Sequence, residues 1–154
     1  MSFTFAAGAL IAALQVQPGS IADQASRSLW IVAEDAATLA AIDRAPASNA
    51  PSGPVAVNFW LFMAEADGYD TLVSALTVDC PSRTFVHHSF TAYRGPAFVG
   101  ATAAQDTSSQ AVEPDTFLGA MLAHVCDPSP DGGRAADFEN FQAAGAARAT
   151  PPAG

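Results

Sequence analysis

The apolar positions of the chain fall into three patterns. Residues 5–14 form an unbroken ten-residue run, FAAGALIAAL. Between Leu29 and Tyr93 the apolar residues come in short segments with a period of two, separated by turn residues. From Phe117 to Val125 they recur at spacings of three and four. These patterns predict an apolar segment about half as long as a bilayer-crossing helix, then a series of strands, then one helix with an apolar stripe.

The strand series opens at residues 29–32 (LWIV). Residues 37–42 form a second, weaker segment, because alanine favours helix over strand. Residues 45–54 (APASNAPSGP) make a Pro/Ser/Gly loop. The strongest strand is 55–63 (VAVNFWLFM). Its alternation sets Val55, Val57, Phe59 and Leu61 on one face and Asn58, Trp60 and Phe62 on the other, so both faces are covered and the strand is central. Asp67-Gly68 predicts a turn, 72–79 the next strand, and Pro81-Ser82 a turn into an extended segment over 83–93 that Gly95-Pro96 stops. Connections this short make sequential strands antiparallel neighbours. Residues 102–110 are polar and read as a loop. Asp115 or Thr116 caps the helix, whose stripe is Phe117, Leu118, Met121, Leu122 and Val125. The expected class is α+β: an antiparallel meander with a C-terminal helix packed on it.

Both ends read differently from this middle. The apolar run is followed by Pro18-Gly19, and Ser20 and Ala22 put small residues three and one before a cut ahead of Asp23, the layout of a secretory signal peptide over residues 1–22. Its first residues carry no Lys or Arg, and a buried N-terminal helix is the alternative. Residues 23–127 form one domain, and 128–154 are an Ala/Pro/Gly-rich tail, either mobile or forming a short helix over 134–147.

Composition narrows the function. The chain of 154 residues carries 6 basic against 15 acidic side chains, a formal charge of −9. Every basic residue is an arginine, standing singly at 27, 44, 83, 94, 134 and 148. Without a basic cluster, nucleic-acid and anionic-membrane partners are excluded. The run at 5–14 is too short for an integral membrane span. The two cysteines, Cys80 and Cys126, are too far apart for CxxC chemistry, and no second pair completes a zinc site. In an exported chain they form one structural disulfide.

Catalytic signals are sparse. His87-His88, with His124, invites a metal or general-base reading, but adjacent strand residues point to opposite faces unless a bulge intervenes. Asp67-Gly68-Tyr69-Asp70 resembles the start of a calcium loop without its further ligands, and reads better as a hairpin turn. Ser89, His88 and Asp79 allow a hydrolase triad to be drawn, yet no GxSxG elbow fixes the nucleophile. We therefore expect no catalytic residue, metal or cofactor. Trp60, Tyr69, Tyr93 and Arg94 are candidate partner contacts, with Trp30 and Phe62 as further aromatics, although core packing accounts for most aromatics in such a chain.

The order of these features resembles the bacterial surface-adhesin protein E family of small exported domains. The matching pieces are Leu29-Trp30-Ile31-Val32, Ile42-Asp43-Arg44, Val57-Asn58-Phe59-Trp60, Tyr69, Val78-Asp79-Cys80 with Arg83, Tyr93-Arg94-Gly95, and a helix opened by Pro-Asp-Thr and closed by Val125-Cys126. The resemblance implies an antiparallel sheet with a packed helix, a Cys80–Cys126 disulfide, a periplasmic or cell-surface address, and the family's activity of adhesion to host matrix and plasma proteins; the leading expectation is a non-catalytic exported binding module acting on a protein or envelope component. The competing expectation is a small periplasmic hydrolase using His87 or His88 with a nearby Asp.

Overall fold

A computed structural model describes residues 29–128 and 134–136. The expected signal peptide and most of the tail lie outside these residues. The elements are β1 (Leu29–Glu34), β2 (Thr38–Ile42), β3 (Pro54–Ala66), β4 (Tyr69–Asp79), β5 (Thr84–Arg94), β6 (Ala97–Ala103), β7 (Gln110–Ala111), helix α1 (Phe117–Cys126) and β8 (Arg134–Ala136). Strands β1 to β6 follow one another across an antiparallel sheet. β8 is added beside β1, and β7 pairs with the far end of β5.

β3 is the middle of this sheet, and its alternating residues feed two clusters. Val55, Val57 and Phe59 join Ile42, Leu76, Val78 and Phe85 on the face that α1 covers with Met121, Leu122 and Val125. Trp60 and Phe62 join Leu29, Leu39, Val73 and Tyr93 in a second cluster. The weak second strand is a full member of the sheet: Ala40 and Ala41 are completely buried. Ala41 stands directly across from Trp60, so a methyl group there gives the indole its space. Packing overrides alanine's helix preference at this strand.

Each hairpin is set by local chemistry. Between β1 and β2 the Asp35 carboxylate accepts from the amides of Ala37 and Thr38 at 2.8 and 2.7 Å. Asp67 and Gly68 both have positive φ, 54° and 86°, the two-residue turn that matches strand twist, and Asp-Gly is a favoured pair for it. Between β2 and β3 the Asp43 carboxylate accepts from the Asn58 backbone amide at 3.0 Å and from Nδ2 at 2.7 Å. That fastens the long loop where the β2–β3 pairing ends.

Thr116, not Asp115, caps α1: its Oγ1 accepts from the Gly119 amide at 3.0 Å. Gly119 is required there, because a Cβ would come within 2.6 Å of the Glu113 carbonyl oxygen. Fully burying Met121, Leu122 and Val125 is worth about 1.5–3 kcal/mol for each side chain. The helix ends in Cys126, which is disulfide-bonded to Cys80 with Cα atoms 5.3 Å apart. Arg83 crosses the same corner to Asp127 at 2.7 Å, an exposed pair that adds little.

Two segments differ from the sequence reading. Residues 97–103 form a strand that the pattern did not predict, and it takes in the start of the expected 102–110 loop. Residues 134–136, expected in a mobile tail or at the start of a short helix, form the β8 strand paired to β1.

The bond between Cys80 and Cys126 spans 46 residues of chain. Replacing both cysteines by serine is expected to lower unfolding free energy by about 4 kcal/mol. Urea denaturation followed by tryptophan fluorescence measures this, and an unchanged midpoint would remove the disulfide from the account of stability.

Candidate contact surface

The two adjacent histidines are separated by an irregularity in the sheet. The register passes from Ala75 opposite Ser89 to Leu76 opposite His87, which makes His88 the extra residue of a β-bulge. A bulge is what a shared metal site would have required, yet the rings part. His87 lies on the helix-covered face with its ring centroid 3.8 Å from that of Phe90. The His88 Nε2 pairs with the Thr77 hydroxyl at 2.7 Å. Thr77 follows Leu76 on β4, and so points to the opposite face. His124 is far along the chain, at the end of α1, with Nε2 3.1 Å from the Arg44 carbonyl oxygen. Among the described residues no group of three or more His, Cys, Asp or Glu could hold a metal ion.

Asp79 and Asp70, two of the carboxylates singled out in the sequence, have structural partners. Asp79 accepts from the Ser82 hydroxyl, which also meets the Thr84 hydroxyl at 2.7 Å. Asp70 accepts from the Thr71 hydroxyl at 2.9 Å and, through its other oxygen, from the Gly95 amide at 2.9 Å. An open groove of about 590 Å³ lies between β1 and the start of α1, lined by Ala33, Asp35, Asp115, Thr116 and Phe117 among others. It holds carboxylates and no histidine.

The Asp70 bond has a second effect. It ties the β5–β6 turn, where Gly95 has φ of 54°, to the start of β4 beside the Asp67-Gly68 turn. The exposed Arg94 lies over that turn: a Cβ on Gly68 would come within 2.7 Å of its Nη2. Arg94 and the half-buried Tyr69 therefore share one end of the sheet. Trp60 and Tyr93, the other two candidate contacts, are each 1% exposed and belong to the core. Burial pushes the Tyr93 phenol above its ordinary value.

Phe98 and Val99 join Arg94 and Tyr69 at this end, 46% and 49% exposed. Sequence reasoning missed both because it left β6 unassigned. The signal available was Gly95-Pro96, a turn pair flanked on each side by an aromatic residue. The Tyr93 and Phe98 rings meet edge to face across that turn, with centroids 6.2 Å apart.

No helix among the described residues is long and apolar enough to cross a membrane. No family model, curated protein or solved structure matches the chain.

Burial holds His87 below the ordinary histidine value of 6.5, and His124 is lowered for the same reason. In the unfolded chain both take up protons as pH falls through 6.5, before the folded chain does, so stability falls on acidification. Asp106, lowered by its bonds with Ser108, acts only near and below its ordinary 3.8. Thermal melts should show a lower midpoint at pH 5.5 than at pH 7.5, and His87→Phe should shrink that difference. Equal midpoints in the wild type would contradict this reading of both histidines.

Proposed function

We propose that this chain is an exported, non-catalytic binding module similar to surface-adhesin protein E, and that it contacts a protein or cell-envelope component. The observation that carries this reading is the Cys80–Cys126 disulfide inside a helix-on-sheet domain. Structural disulfides persist in oxidising compartments and are rare in reducing ones. A bonded cysteine pair is therefore consistent with a periplasmic or cell-surface address and with cleavage of a signal peptide before Asp23. The binding part rests on the end of the sheet that carries Arg94, Tyr69, Phe98 and Val99. Arginine and aromatic side chains are enriched among residues that dominate interfaces.

The hydrolase alternative needs a base within about 3 Å of the proton it takes, or one water further. His87 packs on Phe90, and His88 bonds Thr77. Asp79 and Asp70 bond to neighbouring hydroxyl and amide groups. This separation favours the binding reading.

Two measurements follow. In a hydrolase screen, the purified domain and its His87→Ala and His88→Ala variants should behave alike, without turnover; activity that disappears in either variant would promote the hydrolase. In a pull-down from envelope extract of the native host, the double substitution Tyr69→Ala/Arg94→Ala should reduce capture of the bound component about tenfold or more. Undiminished capture would move the binding surface elsewhere.

A further inference from the structure

The second apolar cluster has no covering layer among the described residues. Helix α1 closes the first cluster, whereas every described member of the second, from Leu29 to Tyr93, stands on β1 to β5, as does Ile31 packed beside it. Side chains on an uncovered sheet face keep one side in water, and an apolar sheet face is buried only against another element. Yet Leu29 and Phe62 are 0% exposed, and Trp60 and Tyr93 are 1% exposed. Burial this complete requires a second layer.

The same burial gives the extent of that layer. Tyr93 and Phe98 are cross-strand partners and therefore share a face, but Phe98 on β6 is 46% exposed. The layer ends between β5 and β6, and it reaches the other side of the sheet at Leu29. β8 lies beside β1 on that side, with Ala136 directly opposite Leu29. Chain that leaves β8 at Ala136 starts from the covered side of the sheet.

Outside the described residues, large apolar side chains stand only ahead of Asp23 and at Phe138 and Phe141. We propose that the chain's own tail after Ala136 covers this face, with Phe138 and Phe141 seated on Leu39, Trp60 and Phe62. Phe141 is five residues past Ala136, and five extended residues span up to about 17 Å. The three strand steps from β8 to Trp60 on β3 take about 14 Å, so the middle of the sheet is within reach. The Trp60 and Phe62 rings, stacked with centroids 6.1 Å apart, offer an aromatic surface on which a phenylalanine ring packs edge-on or offset. The choice of the tail over the N-terminal run rests on the export reading above: after cleavage before Asp23, residues 23–28 (DQASRS) carry no large apolar side chain.

Proton NOE spectra of the oxidised full chain, with the N-terminal run present to compete, test the contact directly. Ring protons of Phe138 or Phe141 should show NOEs to Trp60, Phe62 or Leu39. NOEs to these residues from positions 5–14 instead, or from neither segment, would overturn the proposal. Acrylamide quenching is the second readout, on a Trp30→Phe background that leaves Trp60 as the only tryptophan. Phe138→Ser/Phe141→Ser should raise the Trp60 quenching constant several-fold with the Cys80–Cys126 bond intact, while Phe138→Leu/Phe141→Leu, which keeps the apolar contact, should leave it close to the background value. Quenching unchanged by the serine pair would also overturn the proposal, and if that variant fails to fold the NOEs decide. The intact mass of the chain recovered from its host reports cleavage separately: retained Met1 together with NOEs from Phe138 or Phe141 would sink the export reading and leave the tail contact standing.

Discussion

The arrangement depends on the covalent tie between the end of β4 and the end of α1. A ten-residue helix is shorter than the roughly 12–15 residues at which isolated helices become even marginal in water. Its stability has to come from the sheet, through Met121, Leu122 and Val125. The bond from Cys80 to Cys126 holds the helix's last turn against the sheet, and the Thr116 cap fixes its first turn. Between those two points the apolar stripe has one face to meet. The cluster beneath it contains the inward residues of β2, β3, β4 and β5, so one cross-link organises most of the domain.

That organisation explains where the polar, titratable residues find their partners. A sheet with apolar clusters on both faces uses its turns and strand ends for polar contacts, and those contacts here stay within the fold. Asp35, Asp43, Asp70 and Asp79 each hold a turn or a neighbouring strand. His87 is drawn into the aromatic packing near Phe85 and Phe90, and the bulge at His88 sends the second ring to Thr77. The proposed contact surface is the end of the sheet opposite the disulfide corner, where two turns carry Tyr69 and Arg94.

The central strand and the helix were legible because their signals are periodic and strong. Val55, Val57 and Phe59 alternate with Asn58, Trp60 and Phe62 as they do in the sheet, and the helical stripe needs no tertiary information to be seen. β2 was harder, since Ala40 and Ala41 earn their places by size, one under the helix-covered face and one opposite Trp60. β6 was not legible at all: AFVGATA offers two strand-forming side chains, and its pairing with β5 depends on a turn whose glycine is positioned by Asp70, 25 residues away. The candidate contacts divided for a related reason. Composition cannot say whether an aromatic faces a core or a partner, and Trp60 and Tyr93 went inward while Tyr69 and Arg94 stayed at the surface.

The proposed export of a domain held by one cross-link makes a direct demand on the chain in its own cells. Rapid acid quenching of native host cells, alkylation of free thiols, fractionation and peptide mass spectrometry would report both the redox state and the place. The account predicts a peptide pair joined through Cys80 and Cys126, recovered from the envelope fraction, with neither cysteine alkylated. Alkylated Cys80 and Cys126 in a chain recovered from the cytosol would contradict it.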